Sequence, residues 1–161
     1  MFCQISQRLQ YRPKVAVIIG AGGTARAACY SLKQLGVDKL YLFNRTAERA
    51  EKLADEFGAL VCKDLGSLNS VDIVVGTIPA GAQKEDHFPG NLFASKPVVV
   101  ELAYRPRTTP LLKLAQDAGC QVVEGIDILI EQGLYQFKTW TSCNPPSLVM
   151  ASAVHKAYND S

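Results

Sequence analysis

Val17-Ile18-Ile19-Gly20-Ala21-Gly22-Gly23-Thr24-Ala25-Arg26 carries an apolar run into a glycine turn, and the turn opens a helical pattern. Gly20 permits the tight turn, Gly22 lets the backbone approach a ligand, and Ala25 is the small residue required where a helix packs on a strand. Gly23 and Thr24 complete the turn. A helix that starts here aims unpaired N–H groups and the positive end of its dipole at an anion. A lone G-x-G-x-x-A is a weak signal, because a glycine turn also serves packing alone. Its context strengthens it. A strand pattern over 15–19 precedes the turn, Ala28, Leu32 and Leu35 share one face after it, and Gly36 supplies the stop. The motif reads as a nucleotide-binding turn.

Outward from this stretch, strand and helix patterns alternate. Strands are predicted at 14–19, 39–43, 60–62, 72–77, 98–102 and 121–123, and helices at 24–35, 47–57, 110–118, 126–140 and 147–158. Several strands are continuous Val/Ile/Leu runs, as expected of strands covered on both faces. The pattern predicts an α/β fold: a Rossmann-like, doubly wound parallel sheet in three layers, in strand order 3-2-1-4-5-6, with right-handed crossovers and a C-terminal helix. The second helix shows local signals agreeing. Thr46 is its N-cap, Glu48 and Glu51 favour the early turns, Ala50, Leu53, Ala54 and Phe57 make the buried stripe, and Gly58 ends it.

Residues 1–13 read as a linker or a cut end, without the apolar segment of a signal peptide. Residues 14–143 form the sheet domain. Asn144-Pro145-Pro146 sets off 144–161, a helix expected to pack on a missing or partner domain. That helix carries Leu148, Val149, Ala151 and Val154, and an exposed apolar face marks an interface. Self-association, or docking to the missing domain, is the expectation.

Composition removes several function classes. The 17 basic and 15 acidic residues give a net charge of +2, which is no basic footprint for nucleic acid. No apolar run approaches the length of a membrane span, so no membrane contact is expected. The five cysteines (Cys3, Cys29, Cys62, Cys120, Cys143) are odd in number and include no C-x-x-C. That argues against a disulfide framework or a zinc site and for a reducing, cytoplasmic setting. Cys29 in the first helix and Cys62 in a strand read as small core residues. His87, in Lys84-Glu85-Asp86-His87, has His155 as its only fellow histidine. No metal site is expected, and that loop reads as solvated surface. There is no G-x-S-x-G and no Lys after the glycine turn, which argues against a hydrolase and an NTPase.

The end of the second strand chooses the cofactor. NAD proteins place Asp or Glu there, about 20 residues after the turn, to bind the ribose 2′-hydroxyl. This chain has Asn44-Arg45-Thr46 instead, with Arg49 following. Arg45 and Arg49 stand at i and i+4, a spacing that puts like charges on one helix face. A bound 2′-phosphate turns that repulsion into a clamp, since guanidinium suits bidentate phosphate contacts. The alternative for Arg49 is a pair with Glu48 or Glu51, or plain solvent. The pattern selects NADP over NAD.

Residues 15–57, with Gly20-Ala21-Gly22-Gly23-Thr24-Ala25-Arg26-Ala27, Asn44-Arg45-Thr46 and Arg49, resemble the nucleotide-binding domain of the shikimate/quinate dehydrogenase family. Glu101-Leu102-Ala103-Tyr104-Arg105-Pro106 with Thr109 and Leu111 is similar to its D-x-x-Y-x-P-x-x-T-x-L segment. Gly125 through Gln132, followed by Phe137 and Trp140, is similar to its G-x-x-M-L-x-x-Q…F…W segment. The resemblance spans 15–140 and implies roles. Gly20, Gly22, Gly23, Thr24 and Ala25 would hold the pyrophosphate, and Asn44, Arg45, Thr46 and Arg49 the 2′-phosphate of NADP. Thr77, Ala103 and Gly125 would border the nicotinamide. Tyr104 and Gln132 would contact a shikimate- or quinate-like ligand. On its own pattern, Gln132 reads equally well as a structural amide.

The departures matter as much. The family's catalytic Lys and Asp precede the glycine turn, largely in a separate substrate domain. Only 19 residues precede Gly20 here, without an Asp, and Lys14 starts a strand. No catalytic residue is therefore assigned, and this piece is not expected to turn over. Gly76-Thr77-Ile78-Pro79 stands where the family usually has Asn-x-Thr-Pro, and Glu101 replaces the usual Asp. The Glu101–Arg107 and Gln132–Thr141 segments resemble the fungal branch. That branch holds the dehydrogenase domain of the pentafunctional arom polypeptide and the homologous domain of a quinate-pathway repressor. Two expectations follow: the NADP-binding half of a dehydrogenase, or a non-catalytic metabolite-sensing module of the repressor, which would be nuclear. Cys143-Asn144-Pro145-Pro146 hints at the repressor.

Overall fold

The computed structural model describes residues 2–9 and 11–159. Six parallel strands lie in the order β3-β2-β1-β4-β5-β6. They are β1 (Val15–Ile19), β2 (Lys39–Phe43), β3 (Leu60–Val61), β4 (Ile73–Gly76), β5 (Val98–Glu101) and β6 (Val122–Val123). The helices are α1 (Phe2–Arg8), α2 (Gly23–Gln34), α3 (Ala47–Phe57), α4 (Pro110–Asp117), α5 (Gly125–Thr141) and α6 (Ser147–Asn159). Order and layering match the sequence expectation of a doubly wound Rossmann-like sheet.

The two-residue period of the strands divides the core. Ala16 and Ile18 join Ala25, Ala28, Cys29, Leu32, Ala50 and Leu53 of α2 and α3 on one face. Val17 and Ile19 join Leu65, Phe88, Leu92, Leu111 and Ala115 on the other. The second face is covered by α4 and by short 3₁₀ turns, among them Glu85–His87 and Gly90–Phe93. Central strands buried on both sides explain why their sequence is continuously apolar. Gly58 closes α3 in the left-handed conformation, at φ 58°.

Several local readings need correction. Within residues 1–13, expected as linker, α1 forms and buries Ile5 completely, and Leu9 packs against the same core. Arg8 fixes it further, donating to the Val122 carbonyl at 3.1 Å and facing Asp127 at 3.8 Å. The polar majority of that stretch hid these anchors. Thr46 caps α3 by position but makes no side-chain cap bond. Phe57 is only half-buried. Cys62 lies just past β3 and is buried, as is Cys29. The side chain of Cys3 falls outside the described residues. On α6, Leu148 and Val149 are exposed and Ala151 and Val154 half-buried. No described helix is long and apolar enough to cross a membrane.

Candidate functional site

The parallel strands end together on one side of the sheet, and the glycine turn sits at the middle of that edge. Gly20 has φ +119°, a conformation glycine adopts without strain. Its N–H donates to the Phe43 carbonyl at 2.7 Å, which ties the turn to the end of β2. A Cβ at Gly20 would lie 2.2 Å from Thr77 Oγ1, and that hydroxyl donates to the Ile19 carbonyl at 2.9 Å. Turn and β4 end are thereby locked together. Gly22 caps α2 without a side-chain bond, so the N–H groups of Gly23, Thr24 and Ala25 carry no side-chain acceptor at this helix start. Open space surrounds Gly22 and Gly23, whereas Ala25 is completely buried under the helix. This is the geometry of an anion cradle. Arg26, one residue on, is paired with Glu56 of α3.

Beside the turn lies a cleft of about 430 Å³. Gly20, Phe43, Asn44, Arg45, Thr46 and Arg49 line one wall, and Ile78, Pro79, Ala82, His87 and Phe88 the other. Asn44 donates to the Thr46 carbonyl at 2.8 Å, shaping the turn that presents Arg45. Arg45 precedes α3, so the expected i, i+4 repulsion within a helix does not arise. The two guanidinium groups reach one cleft from a loop and a first helical turn. Among the described residues no carboxylate lines it.

Sequence reasoning missed two contributors. The 84–87 segment is exposed, as read; it forms a 3₁₀ turn over 85–87 beside an exposed Lys113–Glu85 pair at 2.6 Å, and what the sequence did not show is that His87 lines the cleft. Glu101, noted only as a replacement, is completely buried at the end of β5. Its carboxylate accepts from Gln83 Nε2 at 2.7 Å, the Ala103 N–H at 2.9 Å and Thr109 Oγ1 at 3.0 Å. Burial raises its pKa, and the bonds from Ala103, Gln83 and Thr109 pull it back. A charged residue closing a Val-Val-Val strand was the available signal.

The remaining expected site residues form a second group along the same edge. Gly125 opens α5 so close to the preceding loop that a Cβ would lie 2.6 Å from the Ala103 carbonyl oxygen. Tyr104 is exposed on that loop and Gln132 is exposed on α5. The structure does not place either in the 430 Å³ cleft. No cluster of three metal-ligating side chains occurs among the described residues.

Comparison with known proteins gives a consistent result. A family model described as shikimate/quinate 5-dehydrogenase matches residues 4–83, and one described as the shikimate 5′-dehydrogenase C-terminal domain matches 125–155. The chain is 36% identical to the pentafunctional AROM polypeptide of Kluyveromyces lactis, over 86% of this chain and 10% of that protein. The AROM polypeptide of Malassezia globosa is likewise 36% identical, over 91% and 10%. Among solved structures, the dehydroquinate dehydratase–shikimate dehydrogenase portion of the S. pombe polypeptide superposes with a TM-score of 0.80 at 30% identity, covering 95% of this chain and 32% of that one. The shikimate 5-dehydrogenase of Thermus thermophilus, in complex with NADP(H) and shikimate, gives 0.78 at 28% identity, covering 94% and 58%. The chain spans about a tenth of the length of the curated relatives it matches.

Proposed function

This chain belongs to the shikimate/quinate dehydrogenase family, and on that premise we propose that it is the family's NADP-type dinucleotide-binding domain, without turnover of its own in these residues. One observation carries the reading: Arg45 and Arg49 face a cleft that adjoins the glycine turn and is lined by no carboxylate. A nucleotide's 2′-phosphate finds two cationic side chains there and no lining carboxylate among the described residues to repel it. Both arginines are exposed, so each charged contact is screened to about 1 kcal/mol, and losing the phosphate costs roughly tenfold or more in affinity.

The rest of the edge divides the work. The free N–H groups opening α2 bind the pyrophosphate, and Gly22 and Gly23 leave it room. Thr77, Ala103 and Gly125 border the nicotinamide, which supplies or takes the hydride when the cofactor is bound. Tyr104 and Gln132 face a shikimate- or quinate-like ring held jointly with a substrate domain that supplies the acid and base. The apolar surface of α5 and α6, with Tyr135, Trp140, Leu148 and Val149 exposed, is where that domain or a second copy docks. Homologues in which this unit is one part of a larger polypeptide support that arrangement.

Calorimetric titration of the chain with NADP, and with NAD for comparison, tests the proposal. Binding of NADP at least tenfold tighter than NAD supports it. Binding of neither cofactor removes it and leaves the metabolite-sensing module as the better reading.

A further inference from the structure

Glu101 and Gly76 end adjacent strands and are direct partners in the parallel register of β4 and β5. A Cβ at Gly76 would lie 2.6 Å from Leu111 Cδ2 and 3.0 Å from Glu101 Oε2, so the leucine methyl and the carboxylate together fill the space that a side chain at 76 would need. From there it reaches three separate segments. Gln83 donates both to Glu101, at 2.7 Å, and to the Ile78 carbonyl, at 3.2 Å, which fixes the loop after β4. The Ala103 N–H fixes the loop after β5, on which Gly125 in turn rests. Thr109, whose Oγ1 also accepts from the Leu112 N–H at 3.2 Å, fixes the start of α4. These segments carry or adjoin Thr77, Ala103 and Gly125.

We propose that Glu101 is a positioning residue for the nicotinamide end of the site, holding its backbone rim in register through one buried carboxylate, and that glycine at 76 leaves room for that carboxylate beside Leu111. The nicotinamide part rests on the dinucleotide reading given above. The physical reason is multiplicity. A carboxylate has acceptor sites for several donors at once, whereas an amide in its place turns one acceptor oxygen into a donor among donors. Glu101 is completely buried, so its effect passes through the backbone it holds.

The test has two arms and uses Glu101→Gln, Glu101→Asp, Gly76→Ala and the double variant Gly76→Ala/Glu101→Asp. Amide hydrogen exchange on the ligand-free chain reads the clamp. At least tenfold faster exchange is expected at Ala103 and Leu112 in both Glu101 variants, with Ile18 and Leu42 unchanged. NADPH titration reads the consequence. Affinity, set at the adenosine end, changes less than threefold, while the nicotinamide emission gained on binding falls by half or more. Gly76→Ala does the same, and the double variant loses less than the sum of the two single changes, the contact with Leu111 remaining. Unchanged exchange at Ala103, or equal acceleration through the sheet core, overturns the proposal even if NADPH binds normally. Losses in the double variant that simply add overturn the pairing with Gly76. Failure of the wild-type chain to bind NADPH overturns the dinucleotide reading and the nicotinamide role with it, whatever the exchange pattern.

Discussion

Gly20 shows how a single residue serves fold and site together. Its φ of +119° and the 2.2 Å separation that an added Cβ would have from Thr77 Oγ1 leave no place for a side chain. Gly20→Ala combines backbone strain with a displaced threonine whose hydroxyl holds the Ile19 carbonyl. A loss of about 2–4 kcal/mol is expected from strain of this kind together with the broken bond. Urea denaturation checks it: the midpoint falls with an unchanged slope, and a midpoint within error of wild type contradicts the account. Gly20 and Ala25 were legible in the sequence because each answers a local steric demand, and Gly22 because a bare backbone leaves open space beside the turn. His87 was not, because its place in the cleft wall goes with the neighbouring Phe88, which is buried in the core beneath the sheet, a tertiary contact that a polar loop sequence does not show.

At the scale of elements, the strand ends do most of the positioning. Gly76 and Glu101 are both departures from the family's usual residues, and the structure sets them face to face across β4 and β5. Neither departure reveals its partner in one dimension. The strands themselves were legible, since burial on both faces writes continuous apolar runs. The α1 helix was not, because one fully buried Ile5 among polar neighbours gives no periodic signal. The Glu101 carboxyl, raised above the ordinary value of 4.5 chiefly by burial, makes a further prediction. The folded state binds this proton more tightly than the unfolded chain. Its stabilising contribution is therefore full below that ordinary value and is lost as pH rises through the higher folded pKa. Thermal denaturation from acid to neutral pH is expected to show wild type losing stability relative to Glu101→Gln. A difference that moves the other way contradicts the burial argument.

For the whole molecule, the sheet is finished but one flank is not. Trp140 on α5 and Leu148 on α6 are 76% and 85% exposed, far more than core residues of a completed domain. Replacing Leu148 and Val149 by Glu is expected to reduce self-association in sedimentation velocity without lowering the melting temperature by more than a few degrees. A large loss of stability would show that the two side chains belong to this domain's own core. The sequence indicated this face because α6 has an apolar pattern yet follows Asn144-Pro145-Pro146 beyond the last strand.

The central claim is that two arginines, brought together from a loop and a helix start, read a 2′-phosphate. Its most direct measurement is the ratio of NAD to NADP dissociation constants in wild type and in Arg45→Ala/Arg49→Ala. The account predicts a wild-type ratio of ten or more that collapses to near one in the double variant, through weakened NADP binding with NAD binding little changed. A ratio that survives the loss of both arginines, or an equal loss of affinity for the two cofactors, would contradict it.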